Sequence, residues 1–178
     1  GALFANRMGV QYPELFASIA PCYSGYLNSD VYINPGLYPD VRTDVPIPVW
    51  ACHGGDEPYT AFPGGAKSQE EARTFWRVTV NKSMATAAPT TRPYDDTRAV
   101  SASNPDVTKV WEDTVPPTTL QVIGRKKIAV FSDGLAEFRW QVTDYVPHFW
   151  PLSDQAEQMW DDMFSHYTRN ADKTLTKN

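Results

Sequence analysis

An apolar run at residues 47–52, which leads directly into the sequence HGGD at residues 53–56, constrains the fold more than any other feature of the chain. The run is short and contains Ile47, Val49 and Trp50, so it is typical of a strand that is buried on both faces. A second short apolar run, at residues 15–20, ends at Pro21 and favours another buried strand. Buried strands of this kind are most common in sheets whose faces are covered by helices.

Helical segments separate these strands. Helices are predicted at residues 2–12, at about 66–80 and at about 153–168, while two strand-like runs that flank Asp133-Gly134 predict a β-hairpin. This order predicts an α/β fold with about three parallel strands flanked by helices, plus the hairpin. We expect one domain over residues 1–170, followed by a polar and frayed tail at residues 171–178.

Charge and hydropathy exclude two classes of partner. The net charge is −5, and no cluster of Lys and Arg exceeds residues 125–127, so a nucleic-acid partner is not expected. No apolar run approaches the roughly 20 residues that span a bilayer, so no membrane segment is expected. The two cysteines, Cys22 and Cys52, match no metal spacing, and the sequence leaves open whether they pair or remain buried free thiols.

Two side chains that follow predicted strands suit acid–base chemistry. Asp56 comes after the run at residues 47–52, and His148 follows the strand that includes Trp140. Function gathers at the carboxyl ends of parallel strands, where an Asp orients an imidazole that takes a proton from a nucleophile. Each residue alone has a simpler interpretation, since Asp after Gly-Gly is common in turns and a loop His is often solvated. His53 is a competing candidate for the base.

A metal site is the less favoured alternative at these positions. It would combine His53, Asp56, Glu57 and His148, but their spacing matches no ligand motif such as His-Glu-x-x-His. We therefore expect no metal.

The sequence shows no nucleophile for the predicted base. No Gly-x-Ser-x-Gly motif occurs. Ser24 lacks the preceding glycine that a strained turn at a strand end requires, and no helix starts at Cys22, which follows Pro21. The chain also opens at Gly1 within an amphipathic helical pattern that has no capping residue. The sequence therefore predicts that the true beginning lies upstream of Gly1.

Four stretches resemble a known family. Residues 1–8 (GALFANRM), 12–21 (YPELFASIAP), 48–56 (PVWACHGGD) and 147–151 (PHFWP) are similar to the polyhydroxybutyrate-depolymerase-like and feruloyl-esterase-like branch of the α/β-hydrolases. The resemblance covers most of residues 1–65 and 135–168 and does not extend over about 83–125. It implies that the chain is the C-terminal part of an α/β-hydrolase fold, with its elements in the family's order.

The resemblance assigns roles to particular residues. Asp56 would be the catalytic acid and His148 the catalytic base, in the chain order Ser, Asp, His that the family uses. Gly1 would be the last glycine of the nucleophile elbow and a neighbour of the oxyanion hole, with the serine two positions before it. Such a chain alone would not hydrolyse esters, needs no cofactor, and would belong to a protein that leans towards secretion.

The expected function is therefore serine carboxylic ester hydrolysis, on small-molecule or polymeric ester substrates such as hydroxyacid polymers or hydroxycinnamate–sugar conjugates. Trp150, Phe149, Tyr59 and Tyr23 would line the substrate pocket, although packing at the rim of the sheet explains them equally well. Two alternatives stay open. One is a non-catalytic domain that binds a carbohydrate or a protein partner, and the other is a peptidase that uses the same triad.

Overall fold

The structure, a computed structural model, describes residues 1–22, 31–32, 34–54, 71–83, 119–124, 126–143 and 154–178. Its main elements in chain order are α1 (Ala2–Gln11), β1 (Val49–Gly54), a π-helix (Phe75–Val80), β2 (Thr119–Ile123), β3 (Lys126–Phe131), β4 (Phe138–Thr143), α2 (Gln155–Asp162), β5 (Tyr167–Arg169) and β6 (Leu175–Lys177). Short 3-10 turns occur at Pro13–Leu15, Pro35–Leu37 and Phe164–His166.

The main sheet is mixed. Its strand order is β1-β4-β3-β2, in which β1 and β4 are parallel while β4, β3 and β2 pair antiparallel in succession. Residues 124–125 and 132–137 make the two connections within this antiparallel part. Such short connections join antiparallel neighbours, whereas a parallel pair needs a crossover of a dozen residues or more. Gly124, with φ of 58°, provides the left-handed conformation in the first connection.

The predicted fold class is therefore wrong. An α/β-hydrolase half with about three parallel strands flanked by helices was expected, but the described strands include one parallel pair in a small mixed sheet, and β5 and β6 form a separate antiparallel pair. The prediction failed because β2 was not recognised. It follows a long segment without periodicity, so β3 and β4 were interpreted as one hairpin attached to a parallel sheet rather than as the centre of an antiparallel one.

The predicted strand at residues 15–20 is also shorter than expected. A 3-10 turn occupies Pro13–Leu15, and pairing with β1 is limited to isolated parallel bridges at Ile19 and Cys22. Trp50 N donates to Ile19 O at 3.0 Å and Cys52 N donates to Pro21 O at 3.1 Å. Prolines at both ends of the segment lack N–H donors and limit how far a ladder extends. The segment still follows β1 in the parallel direction.

The two faces of the main sheet pack against different helices. One face carries Val49, Ala51, Phe138 and Trp140, and packs with α1 and the π-helix through a cluster that also contains Val10, Phe75, Trp76 and Val80. The other face carries Trp50, Cys52, Ile128 and Val130, and packs with Met159, Met163 and Tyr167 from α2 and the residues after it. Because side chains alternate along a strand, burial on both faces leaves every residue of β1 whose burial is described inside the protein.

The C-terminal region is more ordered than predicted. The expected long helix is shorter, since α2 covers Gln155–Asp162 and a 3-10 turn and β5 follow it. The tail that was expected to be frayed contains β6, which pairs with β5 from Tyr167↔Lys177 to Arg169↔Leu175. In the connecting turn, the Asp172 side chain accepts hydrogen bonds from the backbone and hydroxyl of Thr174. This local capping explains how a polar segment folds back on itself.

Asn81 joins the end of the π-helix to two other segments. Its side-chain oxygen accepts from Ile47 N at 3.0 Å and its amide donates to Ile47 O at 2.8 Å, while its backbone oxygen accepts from Leu135 N at 2.6 Å. Gly134 crosses over this junction so closely that an added Cβ would collide with the Asn81 carbonyl and meet Ser83 N at 3.0 Å. The close approach requires glycine at position 134.

We expect Gly134→Ala to lower the free energy of unfolding by about 1–3 kcal/mol, because the backbone atoms that the new methyl group meets cannot move aside without disturbing Asn81. The matched control is Gly36→Ala, since Gly36 is exposed and a Cβ there meets nothing within 4 Å. That variant should stay within about 0.5 kcal/mol of the wild type in urea denaturation. Equal effects of the two changes would contradict the close packing at Gly134.

Candidate active site

The carboxyl ends of β1 and β4 lie side by side. The two strands are parallel neighbours from Val49↔Phe138 to Gly54↔Thr143, so they end together at one edge of the sheet. Asp56 is the second residue after Gly54, and His148 is the fifth residue after Thr143. The two segments that carry the predicted acid and base therefore start from adjacent positions.

The predicted site residues themselves fall mostly outside the described residues. This holds for Asp56, His148, Trp150, Phe149, Tyr59 and Tyr23. Gly1 is described: it is exposed, precedes α1, and its carbonyl accepts the first helical hydrogen bond from Ala5 N at 2.9 Å. The expected role of Gly1 beside an oxyanion hole stays a prediction, as do the roles of the other six residues.

A buried amide network lies beneath this edge. Gln141 of β4 and Gln155 of α2 exchange two hydrogen bonds, of 2.7 and 2.8 Å, through their side-chain amides. The Trp50 indole donates to Gln141 Oε1 at 3.0 Å, and Gln141 Nε2 donates to Thr143 Oγ1 at 3.1 Å. All four side chains are completely or almost completely buried. A buried polar network of this kind is stable only when its members satisfy one another, so it fixes their relative positions.

The network connects the two ends of the chain segment that contains the predicted base. Gln141 lies just before the end of β4, and Gln155 begins α2, so the amide pair joins the two sides of residues 144–154. Lys126 of β3 adds a second link, because its ammonium contacts Asp154 Oδ2 at 3.0 Å and Gln158 Oε1 at 2.8 Å. Both ends of the segment that includes His148 are thereby attached to the sheet.

This network was not predicted from the sequence. Gln141 was assigned to the polar face of an alternating strand, and Gln155 to the start of a helix whose predicted apolar stripe begins at Met159. No sequence signal marked Gln141, because its buried neighbours Cys52 and Ile128 flank it only in the register that the structure shows. A polar residue at such a position needs a partner, and Gln155 is that partner.

An ion pair supports the other end of β4. Arg139 pairs with the buried Glu137, donates to the Asp162 carbonyl at 2.8 Å, and lies 4.6 Å from the centroid of the Trp50 ring. Tyr167 packs nearby, and its burial, with the negative charge of Glu137 as a smaller contribution, raises the pKa of its hydroxyl to about 12. These contacts join β4 to α2 and β5, and they identify a structural cluster rather than a reactive one.

Metal and membrane sites find no support among the described residues. No group of three or more His, Cys, Asp or Glu side chains that would hold a metal ion occurs there. The alternative metal set of His53, Asp56, Glu57 and His148 involves side chains outside the described part of the chain. None of the helices in the described ranges is both long and apolar enough to cross a bilayer.

In comparisons with protein-family models, curated proteins and solved structures, no match to this chain was found. The resemblance to the α/β-hydrolases therefore remains a prediction from short sequence motifs, and the function has to be argued from the arrangement of β1 and β4.

We expect Gln155→Ala to lower the free energy of unfolding by about 2–5 kcal/mol, because it removes two hydrogen bonds from the buried Gln141 amide and opens a cavity. The control is Glu157→Ala, which shortens an exposed side chain of the same helix and should cost less than about 1 kcal/mol. Chemical denaturation of both variants measures the difference. Similar losses would show that the amide network does not hold α2 on the sheet.

Proposed function

We propose that the protein hydrolyses carboxylic esters, with His148 as the general base and Asp56 as the carboxylate that orients it. One observation carries the proposal: β1 and β4 are parallel neighbours whose last residues, Gly54 and Thr143, are paired. The segments that bear Asp56 and His148 therefore leave the same edge of the sheet. Ligands and catalytic groups gather at such edges because the strand ends leave a crevice between the loops that follow them.

Chain geometry permits the two side chains to meet. Neighbouring strands lie about 4.8 Å apart. A chain extends at most about 3.6 Å per residue, so Asp56 is at most about 7 Å from Gly54 and His148 at most about 18 Å from Thr143. Both distances are ample for the segments to bridge the strand separation.

The proposed chemistry divides the work between the two residues. The carboxylate of Asp56 accepts a hydrogen bond from His148 Nδ1–H, which selects the tautomer whose Nε2 is free to accept a proton. His148 then takes the proton of a nucleophile as it attacks the ester carbonyl, and returns it to the departing alcohol. Aromatic residues that come after the strand ends in sequence supply apolar surface for an acyl or alcohol group. They are Trp150, Phe149, Tyr59 and Tyr23.

The proposal does not require the α/β-hydrolase fold. Triads of nucleophile, histidine and carboxylate recur on unrelated folds and are recognised by geometry rather than by architecture. The mixed sheet therefore does not exclude the reaction. The residue that reacts in the experiment below identifies the nucleophile.

A fluorophosphonate probe on the full-length protein tests the proposal. We expect covalent labelling of one serine and hydrolysis of p-nitrophenyl esters. Asp56→Asn and His148→Ala should each lower both rates by about 10³–10⁴-fold, because each removes part of the base that activates the nucleophile. The matched control is His166→Ala, since His166 is exposed in the turn after α2, and this variant should keep the wild-type rates.

Three outcomes would contradict the proposal. The first is labelling of Ser24 or Cys22, which would assign the nucleophile to a different segment. The second is labelling that Asp56→Asn and His148→Ala leave unchanged. The third is an absence of labelling and of ester hydrolysis in the full-length protein, which would favour a binding function. Hydrolysis of amides in preference to esters would favour a peptidase.

A further inference from the structure

Cys22 and Cys52 are direct neighbours across a parallel bridge. Cys22 lies opposite Cys52, and the hydrogen bond from Cys52 N to Pro21 O holds the register. Strands separated by about 4.8 Å place such partners within the range of Cα distances that disulfides span, about 4.4–6.8 Å. Both side chains also lie on the same face of the sheet, in the cluster that contains Trp50 and Met163. The bridge therefore brings the two cysteines into the range of Cα distances that a disulfide spans, and both thiols are free.

The two thiols differ in exposure and in acidity. Cys52 is fully buried, whereas Cys22 is partly exposed. A hydrogen bond from the Cys52 thiol stabilises the thiolate of Cys22 and lowers the pKa of that group. Burial, more than any other cause, raises the pKa of Cys52 well above its ordinary value. A small disulfide therefore reaches the partly exposed Cys22 first, and the buried Cys52 is the neighbouring thiol that resolves the mixed disulfide.

We propose that Cys22 and Cys52 form a thiol–disulfide exchange site, at which a small disulfide such as oxidised glutathione converts the pair to an intramolecular disulfide. The Cys22 thiolate attacks one sulfur of the glutathione disulfide, forms a mixed disulfide and releases one glutathione thiolate, which takes up a proton. The Cys52 thiol then loses its proton and attacks the Cys22 sulfur, and the second glutathione leaves. Two protein thiols are oxidised, and one glutathione disulfide is reduced to two thiols.

The bond would join two neighbouring segments of the sheet. It would tie residues 19–22 covalently to β1, two residues before β1 ends at Gly54 and four before Asp56. Closing the loop between Cys22 and Cys52 restricts the unfolded chain and so stabilises the folded one. The inference is independent of the proposed ester hydrolysis, because it rests on the bridge and on the exposure of the two thiols.

Mass spectrometry of the reduced full-length protein treated with oxidised glutathione tests the site. Trypsin separates the two cysteines, because cleavage after Arg7, Arg42 and Lys67 releases residues 8–42 with Cys22 and residues 43–67 with Cys52. We expect the intact mass to fall by that of two hydrogen atoms. We also expect a cross-linked pair of these peptides that dithiothreitol separates, and a higher thermal midpoint in the oxidised protein.

Serine variants separate the two roles. Cys52→Ser should accumulate one glutathione on Cys22, because the resolving thiol is gone, while Cys22→Ser should stay unmodified, because Cys52 is buried. Which of the two thiols reacts first can also be measured in the wild-type protein. In the folded wild type, iodoacetamide should alkylate Cys22 first and Cys52 only after denaturation.

Each contrary result would overturn the proposal. These are a mixed disulfide at Cys22 that persists in the wild type, modification of Cys52 before Cys22, formation of the bond only in denaturant, and no reaction with oxidised glutathione at all. The alkylation experiment keeps the test decisive even if Cys52→Ser fails to fold. Loss of the exchange would leave the ester hydrolase proposal unaffected, since the two experiments share no readout.

Discussion

The parallel pairing of β1 with β4 is the constraint on which the rest of the structure depends. Parallel strands are usually buried on both faces, and β1 meets this requirement because α1 and the π-helix cover one face while α2 covers the other. The same pairing brings Gly54 beside Thr143 at one edge and thereby determines where the segments with Asp56 and His148 begin. The packing of the main sheet and the proposed function thus both depend on the register between β1 and β4.

Local sequence patterns predicted individual elements better than their assembly. The strand at residues 47–52 is observed at Val49–Gly54, and the apolar residues assigned to the second helix, including Phe75 and Trp76, are buried. The assembly was wrong because strand order depends on pairing partners that no local pattern specifies. β2 gave no recognisable signal, and β6 forms through a turn in which Asp172 caps Thr174. Both strands pair with a sequence neighbour across a short turn, β2 with β3 and β6 with β5.

The candidate site was predictable only in part. Asp56 and His148 were selected because they follow strands, and the adjacency of those strands agrees with that reasoning. The supporting amides were not predictable, since Gln141 and Gln155 are distant in sequence and an amide on a strand is normally assigned to solvent. Their burial becomes meaningful only once α2 is known to cover that face. Residues that hold a site in place leave weaker sequence signals than residues that react.

The most direct measurement is an isotope-edited nuclear Overhauser experiment on the full-length protein. Contacts between the backbone amides of β1 and β4, such as Cys52 with Gln141, establish that the sheet is formed as described. With these contacts present, the account predicts a further contact between the His148 ring and the Asp56 methylene protons, because a carboxylate that orients an imidazole lies within hydrogen-bonding distance of it. Strand contacts without that side-chain contact would contradict the account.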